Sequence, residues 1–118
     1  GYAVLEVIEN KKLQKNAYQV GKYFFNKLLR IKKKNKKYIS DVRGRGLFLG
    51  IDIIENYDNS KPSSDLAKKI INFMKNNGIL LSTDGPYNNV IKIKPPMVFN
   101  KADVDFVCEK LSEFFKKI

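Results

Sequence analysis

Histidine is absent from the 118 residues, and cysteine occurs once, at Cys108. Without imidazole the chain cannot assemble a Ser-His-Asp or Cys-His constellation, a histidine-bound metal or an imidazole proton relay. A single thiol excludes an internal disulfide framework and a thiolate zinc site, and it suits a reducing compartment. Long apolar runs are missing too, since no stretch approaches the ~20 residues that a membrane-spanning helix needs. The opening Gly1-Tyr2-Ala3-Val4-Leu5-Glu6 does not read as a secretory leader. What is present is the balance of a globular protein, 43% apolar and 30% charged, in a length that fits one domain with a modest core.

Charge is strongly one-sided, at a net +11. Such a surplus could serve nucleic acid, an anionic membrane or an acidic substrate. All but Arg30, Arg43 and Arg45 of the 23 basic residues are lysines, however, and they are spread over almost the whole chain. The densest block, Lys32-Lys33-Lys34-Asn35-Lys36-Lys37, contains no aromatic residue of the kind a single-strand stacking surface uses. A solvated helix end, where lysines suit the negative pole of the helix, is the simpler reading.

The spacing of apolar residues predicts a short helix over residues 2–9 and a long amphipathic one over 12–34. The stripe of the second is Leu13, Ala17, Val20, Phe24, Leu28 and Ile31, at intervals of three and four. The first helix opens with no capping residue, as a segment cut from something longer would. Residues 38–43 and 47–54 read as two strands joined by a turn at Gly44-Arg45-Gly46, a hairpin. Residues 56–63 read as a polar loop. Ser64 is expected to cap a helix to about Asn76, ended by Asn77-Gly78, with Leu66, Ile70, Phe73 and Met74 turned inward. Ile79-Leu80-Leu81 reads as a short buried strand, 82–89 as a loop, and 90–94 as an alternating strand closed by Pro95-Pro96. Asn100 is expected to cap a last helix with Val104, Val107, Cys108, Leu111, Phe114, Phe115 and Ile118 on its apolar side. The expected fold class is α+β: a small, largely antiparallel sheet of about four strands with helices on one face.

Three segments, in order, carry a resemblance. Val42-Arg43-Gly44-Arg45-Gly46-Leu47-Phe48-Leu49-Gly50 resembles the hairpin that opens the small domain of class III pyridoxal-phosphate aminotransferases. Asn77-Gly78-Ile79-Leu80-Leu81 is similar to the segment following the middle helix there. Lys92-Ile93-Lys94-Pro95-Pro96-Met97 stands where that family has a strand ending in paired prolines. The spelling around Asp84-Gly85-Pro86, Asn89-Val90-Ile91 and Lys92 looks most like the ethanolamine-phosphate and phosphohydroxylysine phospho-lyase branch, and ordinary members carry arginine at the position of Lys92.

The resemblance implies a C-terminal small domain of a fold-type I enzyme over residues 1–118, with residues 1–34 partly linking to a large domain. It implies pyridoxal 5'-phosphate held by that large domain, so no catalytic, cofactor-binding or metal-binding residue is expected in this chain, which alone would be inactive. An amine substrate, a homodimer and a mitochondrial or cytoplasmic location follow from the same likeness. The expected activity is elimination of phosphate from a phosphoethanolamine-like compound, with an alanine–glyoxylate type aminotransferase as the alternative. A small basic nucleic-acid-binding module is a distant alternative, resting on charge alone, and no membrane partner is expected.

Two residues stand out as candidates for substrate binding or domain closure. Arg43, at a strand end, could hold an anionic group bidentately or pair across a domain boundary; the competing reading is an ion pair that holds the hairpin. Lys92 could offer a point charge to a substrate phosphate; the competing reading is a pair with Lys94 on a solvated sheet face. Cys108, on the apolar side of a helix, reads as a buried inert thiol. Asp52 and Glu55 are three apart in a strand and make a poor acid–base pair. Tyr2, Val4, Leu5 and Ile8, with one side of the following helix, are expected to form an apolar face for a large domain.

Overall fold

The computed structural model describes residues 2–45, 48–95 and 99–118, with side chains from residue 15 onward except at Arg45. The order is α1 (Tyr2–Lys34), β1 (Ile39–Arg45), β2 (Phe48–Glu55), β3 (Asp58–Pro62), α2 (Ser64–Asn76), β4 (Ser82–Asp84), β5 (Val90–Ile93) and α3 (Lys101–Lys117). The strands form one antiparallel sheet in the order β1-β2-β5-β4, with β3 joined to β2. The α+β class is as expected, but the sheet has five strands rather than four.

Alternation along the strands decides which face is covered. Leu49, Ile51 and Ile53 of β2 and Ile91 and Ile93 of β5 are buried, and they meet Val20, Phe24 and Leu28 of α1, Ile70 and Met74 of α2 and Val104 and Leu111 of α3 in one core. α1 is a single helix that runs unbroken from residue 2 through Gly21, so the two helices expected before residue 34 are one. Its expected stripe from Ala17 to Ile31 is buried. The expected apolar face at Tyr2, Val4, Leu5 and Ile8, like Leu13, lies outside the described side chains.

α1 and α3 run in the same direction and are clasped around the start of α3. Asn16 Nδ2 donates to the Phe99 carbonyl at 3.0 Å. Tyr23 Oη donates to Asp105 at 2.6 Å, and Lys27 Nζ donates to the same carboxylate oxygen. The Lys27 contact, then that of Tyr23, holds the Asp105 carboxyl below its ordinary range. A depressed carboxylate stabilises the fold above its unfolded pKa of about 3.9, and that contribution is lost as the pH falls through the lower folded value.

Three local expectations are corrected. Residues 58–62 form β3, not loop: Asn56 (φ 49°) and Tyr57 (φ 67°) both sit in the left-handed region and reverse the chain tightly enough to pair β2 with β3. Ser63, not Ser64, caps α2, its hydroxyl accepting from Leu66 N at 3.2 Å. Ile79-Leu80-Leu81 is no buried strand. Gly78, at φ 80°, closes α2 and redirects the chain, leaving Leu80 82% exposed, and pairing begins only at Ser82. Asn100 caps α3 as expected, in a reciprocal box with Asp103, while Ile118 at the far end is exposed.

Gly44 is a strand residue paired with Leu49, not part of the turn; Gly46 lies outside the described residues. Its lack of a side chain admits α1. A Cβ at position 44 would meet the Phe25 ring at 2.9 Å and Leu49 at 3.2 Å. Gly44→Ala is expected to cost about 1–3 kcal/mol by overpacking, read as a lower urea midpoint. Combination with Phe25→Ala should recover part of that loss. Strict additivity would show that the contact is not the cause.

Candidate functional site

The face of the sheet turned away from the helices carries the polar residues. Register places Arg43, Gly50, Lys92 and Ser82 side by side across β1, β2, β5 and β4. The neighbouring row is Asp41, Asp52, Val90 and Asp84. Both candidates from the sequence therefore share one face, one strand apart, with a glycine between them. A Cβ on Gly50 would press on Val90 at 3.3 Å, so the floor between the two cations is bare backbone closed in by the neighbouring strand.

Arg43 is engaged within the hairpin. Its Nη2 donates to Asp52 Oδ2, and its Nε lies 3.7 Å from Asp41 Oδ2. The hydrogen bond to Asp52, then the attraction of that charge, raises the guanidinium pKa. Asp52 is the more buried partner, and its Oδ1 is enclosed without a hydrogen-bond partner among the described residues. Lys92 is less tied. Its Nζ stands 3.9 Å from Asp84 Oδ2, a long contact, and 5.1 Å from the centre of the Phe48 ring. Phe48, Asp52 and Asp84 were not legible as site residues, because each joins the site through strand register and not through a motif.

Pyridoxal-type chemistry needs a lysine enclosed in a pocket, an acid for the ring nitrogen and a cradle for the phosphate. Among the described residues the only buried polar side chains are Ser63 and Asn89, and no lysine is buried. Asn89 is spent structurally, its Nδ2 donating to the Ile53 carbonyl at 3.0 Å. These residues do not fit that cofactor. The chain incubated with pyridoxal phosphate is therefore expected to retain no visible cofactor absorbance after dialysis.

Cys108 lines a cleft between α1 and α3 beside Lys27 and Asp105, and burial pushes its thiol up to about 11. Its reaction with Ellman's reagent at pH 8 is expected to be roughly a hundredfold slower in the folded chain than in denaturant. Equal rates would mean that the thiol is open.

An antiparallel sheet with three helices on one face and an open polar face on the other is the small-domain architecture of fold-type I pyridoxal-phosphate enzymes. The sequence profile of the class-III aminotransferases matches residues 1–115, and the chain belongs to that family, which is pyridoxal-phosphate-dependent.

Among curated proteins, the chain is 41% identical over all 118 of its residues to the Arabidopsis thaliana protein named alanine–glyoxylate aminotransferase 2 homolog 2, mitochondrial, and covers 24% of it. It is 37% identical over 103 residues (86% of this chain, 22% of the relative) to the Caenorhabditis elegans ethanolamine-phosphate phospho-lyase homolog 1. A solved phospholyase from Arthrobacter in complex with phosphoethanolamine superposes with a TM-score of 0.87 and 37% identity, over 100% of this chain and 28% of that one. The chain thus spans about a quarter of the length of the relatives it matches. No helix among the described residues is long and apolar enough to cross a membrane.

Proposed function

We propose that the whole protein is a pyridoxal-phosphate-dependent phospho-lyase acting on a phosphoethanolamine-like amine, and that these 118 residues are its C-terminal small domain. The overall conversion consumes water and yields aldehyde, ammonia and phosphate. The observation that carries this reading is Lys92 standing on the open sheet face of a chain that superposes throughout on a phospholyase. A compact ammonium there is a point charge that can meet a phosphate. Arg43, bound to Asp52 and Asp41, serves as the cross-link of the hairpin and keeps the face flat. The cofactor is held by the preceding domain, which α1 joins to the sheet, and the active unit is a homodimer.

The second reading is an alanine–glyoxylate type aminotransferase, favoured by the identity to the Arabidopsis relative over the whole chain. The two separate cleanly when the full-length protein is given phosphoethanolamine with no amino acceptor. Stoichiometric release of phosphate and ammonia supports the lyase. Turnover only of alanine with glyoxylate, without phosphate release, overturns it.

A further inference from the structure

Alternation in β5 sends Ile91 and Ile93 into the core and turns Lys92 to the open face, and Lys94, the next residue of that series, is exposed beyond the strand end. The ammonium groups of both lysines settle on one ring: Lys92 Nζ is 5.1 Å and Lys94 Nζ 5.2 Å from the centre of Phe48. Phe48 is 42% exposed, so the ring is not a core residue that happens to lie near them. An aromatic ring attracts cations through its quadrupole, and here it gathers two like charges that would otherwise separate.

The counter-charge is incomplete. Asp84 stands 3.9 Å from Lys92, and among the described residues no carboxylate lies within ion-pair distance of Lys94. The third cation of this face, Arg43, is already engaged by Asp52 and Asp41. The adjoining floor at Gly50 is bare backbone and offers Lys92 no side-chain partner. The arrangement is therefore a two-cation element with one weakly held counter-ion.

We propose that Lys92 and Lys94, assembled on Phe48, form a single anion-recognition element in which Lys94 and Phe48 set the preference for a doubly charged phosphate over a carboxylate. This rests on the phospho-lyase reading above. A phosphate monoester at neutral pH carries about 1.5 to 2 negative charges, against one for a carboxylate. One lysine neutralises a carboxylate, and a second is used only by the dianion. On binding, the phosphate takes the place of Asp84 at Lys92 and draws Lys94 in from the other side, so no bond is made or broken.

The test is a titration of the 118-residue chain at pH 8 and constant ionic strength, with inorganic phosphate in one series and acetate in the other. The lysine ε-methylene NMR signals, assigned through Lys92→Gln and Lys94→Gln, are the readout. Phosphate should move the signals of Lys92 and Lys94 along one shared binding curve, with acetate about tenfold weaker. Lys94→Gln should weaken phosphate about threefold and leave acetate within twofold, the scale of one exposed charge contact. Phe48→Leu, with native amide dispersion as the control for folding, should split the shared curve and narrow the preference.

Movement of Lys92 with Lys94 still would overturn the proposal. So would a uniform drift of all lysine signals, which is screening by an adventitious ion only. The phosphate-release assay on the full-length protein distinguishes the failures. A paired response without phosphoethanolamine turnover retains the element and removes the lyase reading; turnover without a paired response does the reverse.

Discussion

Truncation of Phe24 to alanine is expected to remove about 3–5 kcal/mol of folding stability, the range for a large aromatic deleted from a closed core. Phe24 is fully buried on α1 and stacks on Phe99 at 6.3 Å with the rings 6° from parallel. It thus ties the helix to the segment between β5 and α3. A domain of this size has about 5–15 kcal/mol in total, so the variant should be partly unfolded at modest urea. Phe24→Leu keeps most of the apolar volume and should lose less than half as much. The measurement is the urea midpoint at constant m-value. A loss below about 1 kcal/mol for Phe24→Ala would mean that the site collapses around the gap and that the stack contributes little.

The second large effect concerns rate and not folding. In the full-length enzyme, Lys92→Ala is expected to lower kcat/KM for a phosphorylated amine by roughly tenfold to a hundredfold, the worth of one charge-assisted contact of about 1.5–3 kcal/mol. Stability should change little, because the Lys92 side chain is 43% exposed and its ion pair with Asp84 is long. Lys92→Arg keeps the charge but widens it into a planar fork that suits carboxylate and phosphate alike, so it should retain more activity than Lys92→Ala. Unchanged kinetics for both variants on phosphoethanolamine would remove Lys92 from the site. The family assignment, which rests on residues 1–115 as a whole, would be untouched.

What could be read in one dimension follows from where the physics is local. The stripe from Ala17 to Ile31, the Asn100 cap and the Val104-to-Phe115 face of α3 are written in intervals of three and four and in a side chain that reaches its own helix. β3 was illegible because Asp58-Asn59-Ser60-Lys61-Pro62 buries almost nothing. It is held by backbone pairing to β2 and by a turn whose second residue, Tyr57, is a poor advertisement for positive φ. Ile79-Leu80-Leu81 misled for the opposite reason. Three apolar residues look like a buried strand, but the reversal at Gly78 points the middle one outward.

The site divides in the same way. Arg43 and Lys92 could be singled out as strand-end cations. Their partners Asp52, Phe48 and Asp84 depend on which residue lies opposite which, and register is a property of the folded sheet.

The 33 residues of α1 make a rod of about 50 Å, at 1.5 Å per residue, in a molecule whose other dimensions are 26 and 23 Å. Among its described side chains, those from Ala17 to Ile31 that face inward are bolted to the core. Such a rod acts as a lever. Measured from Ala17, the rest of the helix is about 22 Å long, and a tilt of about 5° carries its end about 2 Å. Small rotations of the sheet layer therefore become distances on a chemical scale at the far end, and small pushes there return as changes of tilt in the face that bears Lys92.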